Sequence, residues 1–259
     1  VATDTQADAA NGISGAGTVN ITDTSFSADT DLSSITTTNL QFNGATNSDL
    51  TIADDRTLTI RQDHLASMNS IVDGTDEANV VITEVDGTVD LAEIDVAGTV
   101  TARIVAGGAD ISALSANLTD VTDYVIDTGD TLTMTATQAS AKGVTGGGSV
   151  ALSSLQATSD LSGVTATGGV TIDLANTSVE MTTGKIGATA LTVNSTGGSA
   201  TLDVDGIGAD MAATSIALGT GVTLDATATQ LVHTDQYGIQ TSKSVTGSAT
   251  EAAVCVSDA

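Results

Sequence analysis

Apolar and polar residues alternate in short bursts along nearly the whole chain. Leu50-Thr51-Ile52, Val89-Asp90-Leu91, Leu132-Thr133-Met134-Thr135, Leu191-Thr192-Val193, Leu202-Asp203-Val204 and Ile216-Ala217-Leu218 all repeat with a period of two. That is the period of a strand with one buried and one wet face. Val, Ile and Thr supply many of these positions, and their branched Cβ favours extended backbone. Gly, Ser, Asn and Asp crowd the gaps between bursts, where they serve turns. The pattern predicts many short strands. Only Asp63 to Asn69, with His64 in it, is compatible with a single helical turn. No run approaches the ~18 apolar residues of a membrane-spanning helix.

Longer blocks recur on top of this alternation. Each opens at a Thr-Gln pair or its equivalent, passes a glycine turn into an alternating strand, and reaches an Asp-Leu element followed by another strand. In the third block Thr137-Gln138 leads to Gly146-Gly147-Gly148 and Val150-Ala151-Leu152, then to Asp160-Leu161-Ser162 and Val170-Thr171-Ile172. The first block matches it with Thr5-Gln6, Gly15-Ala16-Gly17, Asp31-Leu32-Ser33 and Leu40-Gln41-Phe42. The blocks run about 1–55, 56–129, 130–221 and 222–259. Gln6, Gln62, Gln138 and Gln230 stand 56, 76 and 92 residues apart. These distances are near multiples of a unit of about 19 residues, which suits one coil of a β-solenoid. The chain starts and ends inside a block. Two expectations follow: a fragment of a longer protein, or a subunit whose strand near Ala252 to Val256 offers a coil surface to the Val1 end of another copy.

Composition bears on which all-β architecture fits. Hydrophobic residues make up 40% of the 259, yet there are two Phe, two Tyr and no Trp. Aromatics normally fill a wide space between layers, so slender aliphatic side chains favour a thin interior. The expected fold is all-β: a parallel β-helix-like solenoid, one continuous stack of short strands over residues 1–259. Tandem β-sandwich modules are the alternative, but they need bulky core anchors and tolerate uneven repeat lengths poorly. Proline is absent, which removes a common blocker of strand edges.

The strand ending in Thr135-Ala136-Thr137-Gln138-Ala139, the turns at Thr145-Gly146-Gly147-Gly148 and Ser14-Gly15-Ala16-Gly17, and strands of the Val150-Ala151-Leu152 kind resemble the β-strand repeats of very large bacterial surface proteins. These include S-layer-like proteins and giant adhesins, and similar repeats occur in phage appendages. The resemblance implies an extracellular, cell-surface structural protein: a subunit or segment of a filament, S-layer or adhesin stalk, self-associating through its terminal strands. The alternative it implies is a phage or cell-surface appendage that binds a receptor or glycan. It brings no catalytic residues. The calcium-binding Gly-Gly-x-Gly-x-Asp nonapeptide is not matched, since Gly146-Gly147-Gly148 lacks a following Asp and Gly197-Gly198 runs into Ser199-Ala200-Thr201.

Charge narrows the partners. The chain carries 32 Asp plus Glu against six Lys plus Arg, a formal net charge of −26. Nucleic acid is not expected, because phosphate binding needs clustered cations and Arg56, Arg61, Arg103, Lys142, Lys185 and Lys243 are scattered. Self-repulsion on this scale calls for screening by salt or divalent cations. Calcium, which takes several hard oxygens, is the ion to test. Its candidate ligands are Asp73, Asp76 and Glu77; Glu84 and Asp86; and Asp203 and Asp205 with Asp210. Solvated turn carboxylates are the competing account of all three groups.

Reactive chemistry is sparse. His64 and His233 are the two histidines, and Asp63 beside His64 singles out no nucleophile. One cysteine, Cys255, allows no intramolecular disulfide, and its apolar surroundings read as a small buried hydrophobe. One Cys and two distant His give no zinc spacing. The glycine-rich turns precede strands and lack a following Lys, so they are tight turns and not phosphate cradles. Polysaccharide cleavage would want a cation cluster and aromatic platforms. The expectation is a protein without catalytic residues. Ice binding is a rival, through Thr-x-Thr pairs at Thr3/Thr5, Thr22/Thr24, Thr57/Thr59, Thr133/Thr135 and Thr227/Thr229.

Overall fold

The computed structural model describes Thr3, Gln6 and residues 12–37, 39–45, 47–74, 77–91, 93–105, 107–114, 118, 120–188, 190–207, 211–213, 215–234, 240–242, 244–247 and 253–257. The chain is a β-solenoid of about nine turns, built of parallel strands. Parallel pairing rules out tandem sandwiches, whose sheets are antiparallel. Two compact units divide it: Val1–Ala106 with Leu114–Val125, and Gly107–Ala113 with Ile126–Ala259.

In the first unit, Thr30–Asp31, Thr57–Arg61, Asn79–Thr83 and Val100–Ile104 form one parallel ladder. Ser25–Phe26, Ser48–Ile52, Met68–Asp73 and Ile94–Asp95 form another, and Val19–Ile21 pairs with Leu40–Phe42. Register stacks like on like. Leu58, Val80 and Val100 make one inward column, and Ile60, Ile82 and Ala102 make the next; all six are buried. Phe26 and Phe42 pack edge-on, 6.4 Å between ring centres, and Tyr124 is fully buried.

In the second unit a seven-stranded ladder runs through Ala109–Asp110, Thr131–Thr135, Ser149–Ser153, Val170–Asp173, Ala190–Asn194, Ser215–Leu218 and Ser244–Gly247. Its first inward column reads Leu132, Val150, Val170, Leu191 and Ile216; its second reads Met134, Leu152, Ile172, Val193 and Leu218. A four-stranded ladder joins Val179–Glu180, Ala200–Asp203, Val222–Thr227 and Ala253–Ser257. Asp160–Leu161 pairs with Lys185–Ile186, and Val232–Thr234 makes an antiparallel pair with Gln240–Ser242. Side chains alternate across a strand, so the inward columns hold Val, Ile, Leu and Met while Thr133, Ala151, Thr171 and Thr192 lie between them. Strands ~4.8 Å apart bring these branched side chains into contact without any aromatic filler.

Coil length is not constant. Register partners Leu132 and Val150 are 18 residues apart, whereas Ile216 and Val245 are 29 apart. A repeating unit of about 19 therefore fails as a ruler. Strand register fixes the stacking, and the corners absorb the difference.

The glycine turn Gly146-Gly147-Gly148 joins Gly143–Gly146 to Ser149–Ser153. A Cβ on Gly146, at φ +109°, would lie 2.2 Å from the Ile126 carbonyl oxygen of the preceding coil. Only glycine permits both that backbone angle and that approach.

Candidate functional site

The corners where coils turn hold most of the polar chemistry. At Thr135–Gln138 the Thr135 hydroxyl accepts from the Gln138 amide at 3.2 Å, and Gln138 Oε1 accepts from the Thr135 amide at 2.7 Å. This is a capping box around the short helix Ala136–Ala139. Gln138 Nε2 then donates to the Ile111 carbonyl at 2.6 Å, 27 residues back on the adjacent coil. Gln230 repeats part of the arrangement: its Oε1 accepts from the Thr227 amide at 2.8 Å and its Nε2 donates to the Val204 carbonyl, while its own amide donates to the Thr227 carbonyl at 3.1 Å. Gln6 makes the same local box with Thr3, at 3.1 and 3.3 Å.

Gln62 does not belong to this series. Residues Gln62–Ser67 form a 3-10 turn whose cap is Arg61, so the third position after the cap, held by Gln138 in the other corner, is His64. The spacing of the four glutamines mixed equivalent and non-equivalent positions, because place in a corner is set by the cap and not by residue type. His64 is fully buried, and its Nε2 meets the Thr37 carbonyl at 3.0 Å, again 27 residues back. A carbonyl only accepts, so the proton sits on Nε2. Nδ1 is buried without a hydrogen-bond partner among the described residues. Burial holds the imidazole pKa below the ordinary histidine value, against the opposing pull of Asp63 and the Thr37 carbonyl. The ring is neutral and structural. Asp63 turns instead to Arg61, at 3.0 and 3.3 Å, and Arg61 also pairs with Glu84.

The Asp-Leu elements at Asp31 and Asp160, together with Asp110-Ile111, are a second kind of corner. Asp31, Asp110 and Asp160 each accept the main-chain amide two residues on, from Ser33, Ser112 and Ser162, at 2.8, 3.0 and 3.1 Å. Ser112 and Ser162 add their hydroxyls at 2.6 Å. Such Asx turns satisfy backbone donors where the ladder stops. Hydroxyl donors Thr88, Ser112, Ser162 and Thr196 hold Asp86, Asp110, Asp160 and Asp173 below the usual carboxylate range.

The predicted calcium ligands are described only in part, and those described have partners of their own. Asp73 accepts the Ala97 amide at 2.7 Å, Glu77 is exposed, and Asp76 and Asp210 lie outside the described residues. Glu84 pairs with Arg61, and Asp86 caps Thr88 at 2.7 Å. Asp203 accepts the Asp205 amide at 3.1 Å and stands in register between Glu180 and Asp225. Its pKa is raised, chiefly by burial, with the Asp205 and Asp225 carboxylates adding repulsion. Among the described residues no three His, Cys, Asp or Glu side chains are gathered to hold a metal ion.

The Thr-x-Thr pairs do not stack either. Outward rows next to Thr133/Thr135 read Ala151/Ser153, Thr171/Asp173 and Thr192/Asn194. Thr227 is buried and bonds Thr229 at 2.9 Å; Thr5 lies outside the described residues. Cys255 and His233 lie in strands, and their side chains are also outside the described set.

One concavity was not expected from sequence. The 3-10 turn Gln62–Ser67 and the segment from Asp86 to Ile94 border a groove of ≈ 620 Å³, lined by Leu65, Met68 and Ile94 together with Asp63, Asp90 and Glu93. It exists because this corner is a six-residue turn in place of a tight one, a difference that carries no motif. Among the described residues no cation, aromatic ring or cysteine lines it. No family model, curated protein or solved structure matches the chain.

Proposed function

We propose that this chain is a structural β-solenoid of an extracellular surface assembly, a subunit or segment of a filament, surface layer or adhesin stalk whose copies associate through their terminal strands. The observation that carries the reading is the run of aliphatic columns in register over the seven-stranded ladder. Continuous parallel ladders resist bending and extension, and stacking can be lengthened coil by coil. The abundant carboxylates serve as corner caps and as an anionic exterior, which keeps copies apart until salt screens them.

Immuno-electron microscopy of the native source tests this. Polymers, sheets or stalks labelled on the outside are expected. Label confined to the cell interior, or to isolated trimeric spikes on capsids, overturns it.

A further inference from the structure

The groove between the 3-10 turn Gln62–Ser67 and the Asp86–Ile94 segment lies within the first unit, and its lining is divided by chemistry. Buried Met68, Val89 and Ile94, with half-buried Leu65, form an aliphatic floor. Asp63, Asp86, Asp90 and Glu93, all exposed, form the rim. Arg61, which bonds Asp63, is not part of the lining. An apolar surface with a few placed polar groups is the usual make-up of a small-molecule site, and ≈ 620 Å³ falls within the roughly 300–1,000 Å³ that such sites occupy.

The polar groups select the ligand. Ionised carboxylates only accept hydrogen bonds, so what they recognise donates and carries positive charge. Each carboxylate has about four acceptor positions, and Arg61 on Asp63 and Thr88 on Asp86 occupy part of them. A bare metal ion fits poorly, because among the described residues no three acidic side chains gather at one point. Main-chain donors around the groove are already committed. The Asp86 amide donates to Gln62 Oε1, the Thr88 amide to the Asp86 carboxylate, the Met68 amide to the Leu65 carbonyl and the Ile94 amide to the Leu91 carbonyl. A peptide strand, which docks by pairing with such donors, gains little here. Among the described residues the floor also lacks the aromatic faces that favour a quaternary ammonium.

We infer that this groove binds a linear aliphatic polyamine, with its methylene segments on Leu65, Met68 and Ile94 and its ammonium groups on the rim carboxylates. An aliphatic floor beneath separated carboxylates matches a ligand in which methylene runs alternate with protonated amines. Covering the methylenes contributes through the hydrophobic effect. The formal net charge of −26 attracts the polycation, and salt weakens that attraction. The site does not depend on how copies assemble, so this inference and the assembly reading can fail separately.

Isothermal titration calorimetry of the full chain tests it with spermidine as the probe, at low and at physiological salt. Two other trications serve as comparisons: hexaamminecobalt, which has no methylene chain, and a trilysine peptide blocked at both ends. One saturable spermidine site per chain is expected, tighter than either comparison. Asp90→Asn with Glu93→Gln should weaken it about tenfold, the order of two exposed ion pairs. Leu65→Ser should weaken it about fivefold through lost apolar contact and leave hexaamminecobalt unaffected. Glu77→Gln with Glu180→Gln removes two exposed carboxylates outside the lining and should leave spermidine binding nearly unchanged. Thermal melting checks that each variant is folded; the rim side chains are exposed, so the rim variant keeps the parent's melting temperature. Diffuse heat without saturation overturns the inference, as does an equal loss from the two charge-matched double variants. Hexaamminecobalt binding as tightly as spermidine would reduce the effect to net charge, and tighter trilysine binding would make the groove a peptide site; either result also overturns it.

Discussion

Replacing Gly148 with alanine separates crowding between coils from backbone strain. Gly148 is not in the left-handed region, so alanine costs it nothing in φ. Its Cβ would nevertheless lie 2.3 Å from Ile126 Cγ2, 2.6 Å from the Asp127 oxygen and 2.7 Å from the Asp130 oxygen. Two of these three are main-chain atoms, which move only if the turn lifts off the coil beneath it. That displacement strains the bonds from the Gly148 amide to Ile126 and from the Ser149 amide to Asp130, now 3.1 and 2.9 Å. Overpacking costs about 1–3 kcal/mol, and each weakened main-chain bond adds about 1 kcal/mol, so the expected loss is about 3–5 kcal/mol. Gly129 is the control: it has φ +95° and nothing within 4 Å of an added Cβ, so alanine there costs backbone strain alone, about 1–2 kcal/mol. A stack of coils can unfold in stages, so the assay is native-state hydrogen exchange over Thr131–Thr135 and Ser149–Ser153, alongside thermal melting. Gly148→Ala should lose the greater protection. If it proves no worse than Gly129→Ala, the account of coils held too close for a methyl group is wrong.

Two pH predictions follow from buried and capped groups. His64 has a folded pKa below its unfolded value near 6.5, so the stability it contributes is present above that pH and is lost as pH falls through 6.5 toward the folded value. His64→Gln, which places at this corner the residue that serves its counterpart, should fold and show a flatter melting temperature between pH 7 and 5; an unchanged slope would show that His64 is not held neutral. Asp160 is depressed by the Ser162 hydroxyl, so its contribution is complete above the unfolded carboxylate pKa near 3.9 and disappears as pH drops through the lower folded value. Asp160→Asn keeps an acceptor for the Ser162 amide without titrating, and melting curves from pH 5 to 2.5 should show a shallower acid decline than the parent. An acid limb identical to the parent's would mean that the Asp160 corner does not contribute to it.

Much of the local structure was readable in advance. Leu132-Thr133-Met134, Leu191-Thr192-Val193 and Ile216-Ala217-Leu218 became strands with the apolar members inward, since a period of two reports one buried face whatever that face packs against. The Asp-Leu elements at Asp31 and Asp160 marked real corners, because an aspartate that captures the amide two residues on needs no distant partner. Scarcity of aromatics pointed to a thin interior, and slender side chains do fill the columns from Leu132 to Ile216.

Sequence by itself therefore determined strand alternation, the aspartate and glycine corners and the solenoid class, all of which rest on properties of a few adjacent residues and on overall bulk. Only the tertiary structure decided that His64, and not Gln62, stands in for Gln138, and that Gln62–Ser67 borders a groove. The physical reason is that contacts in a stack join residues 18 to 30 positions apart. That interval changes from coil to coil, because hydrogen-bond register aligns the strands while loops of any length close the corners.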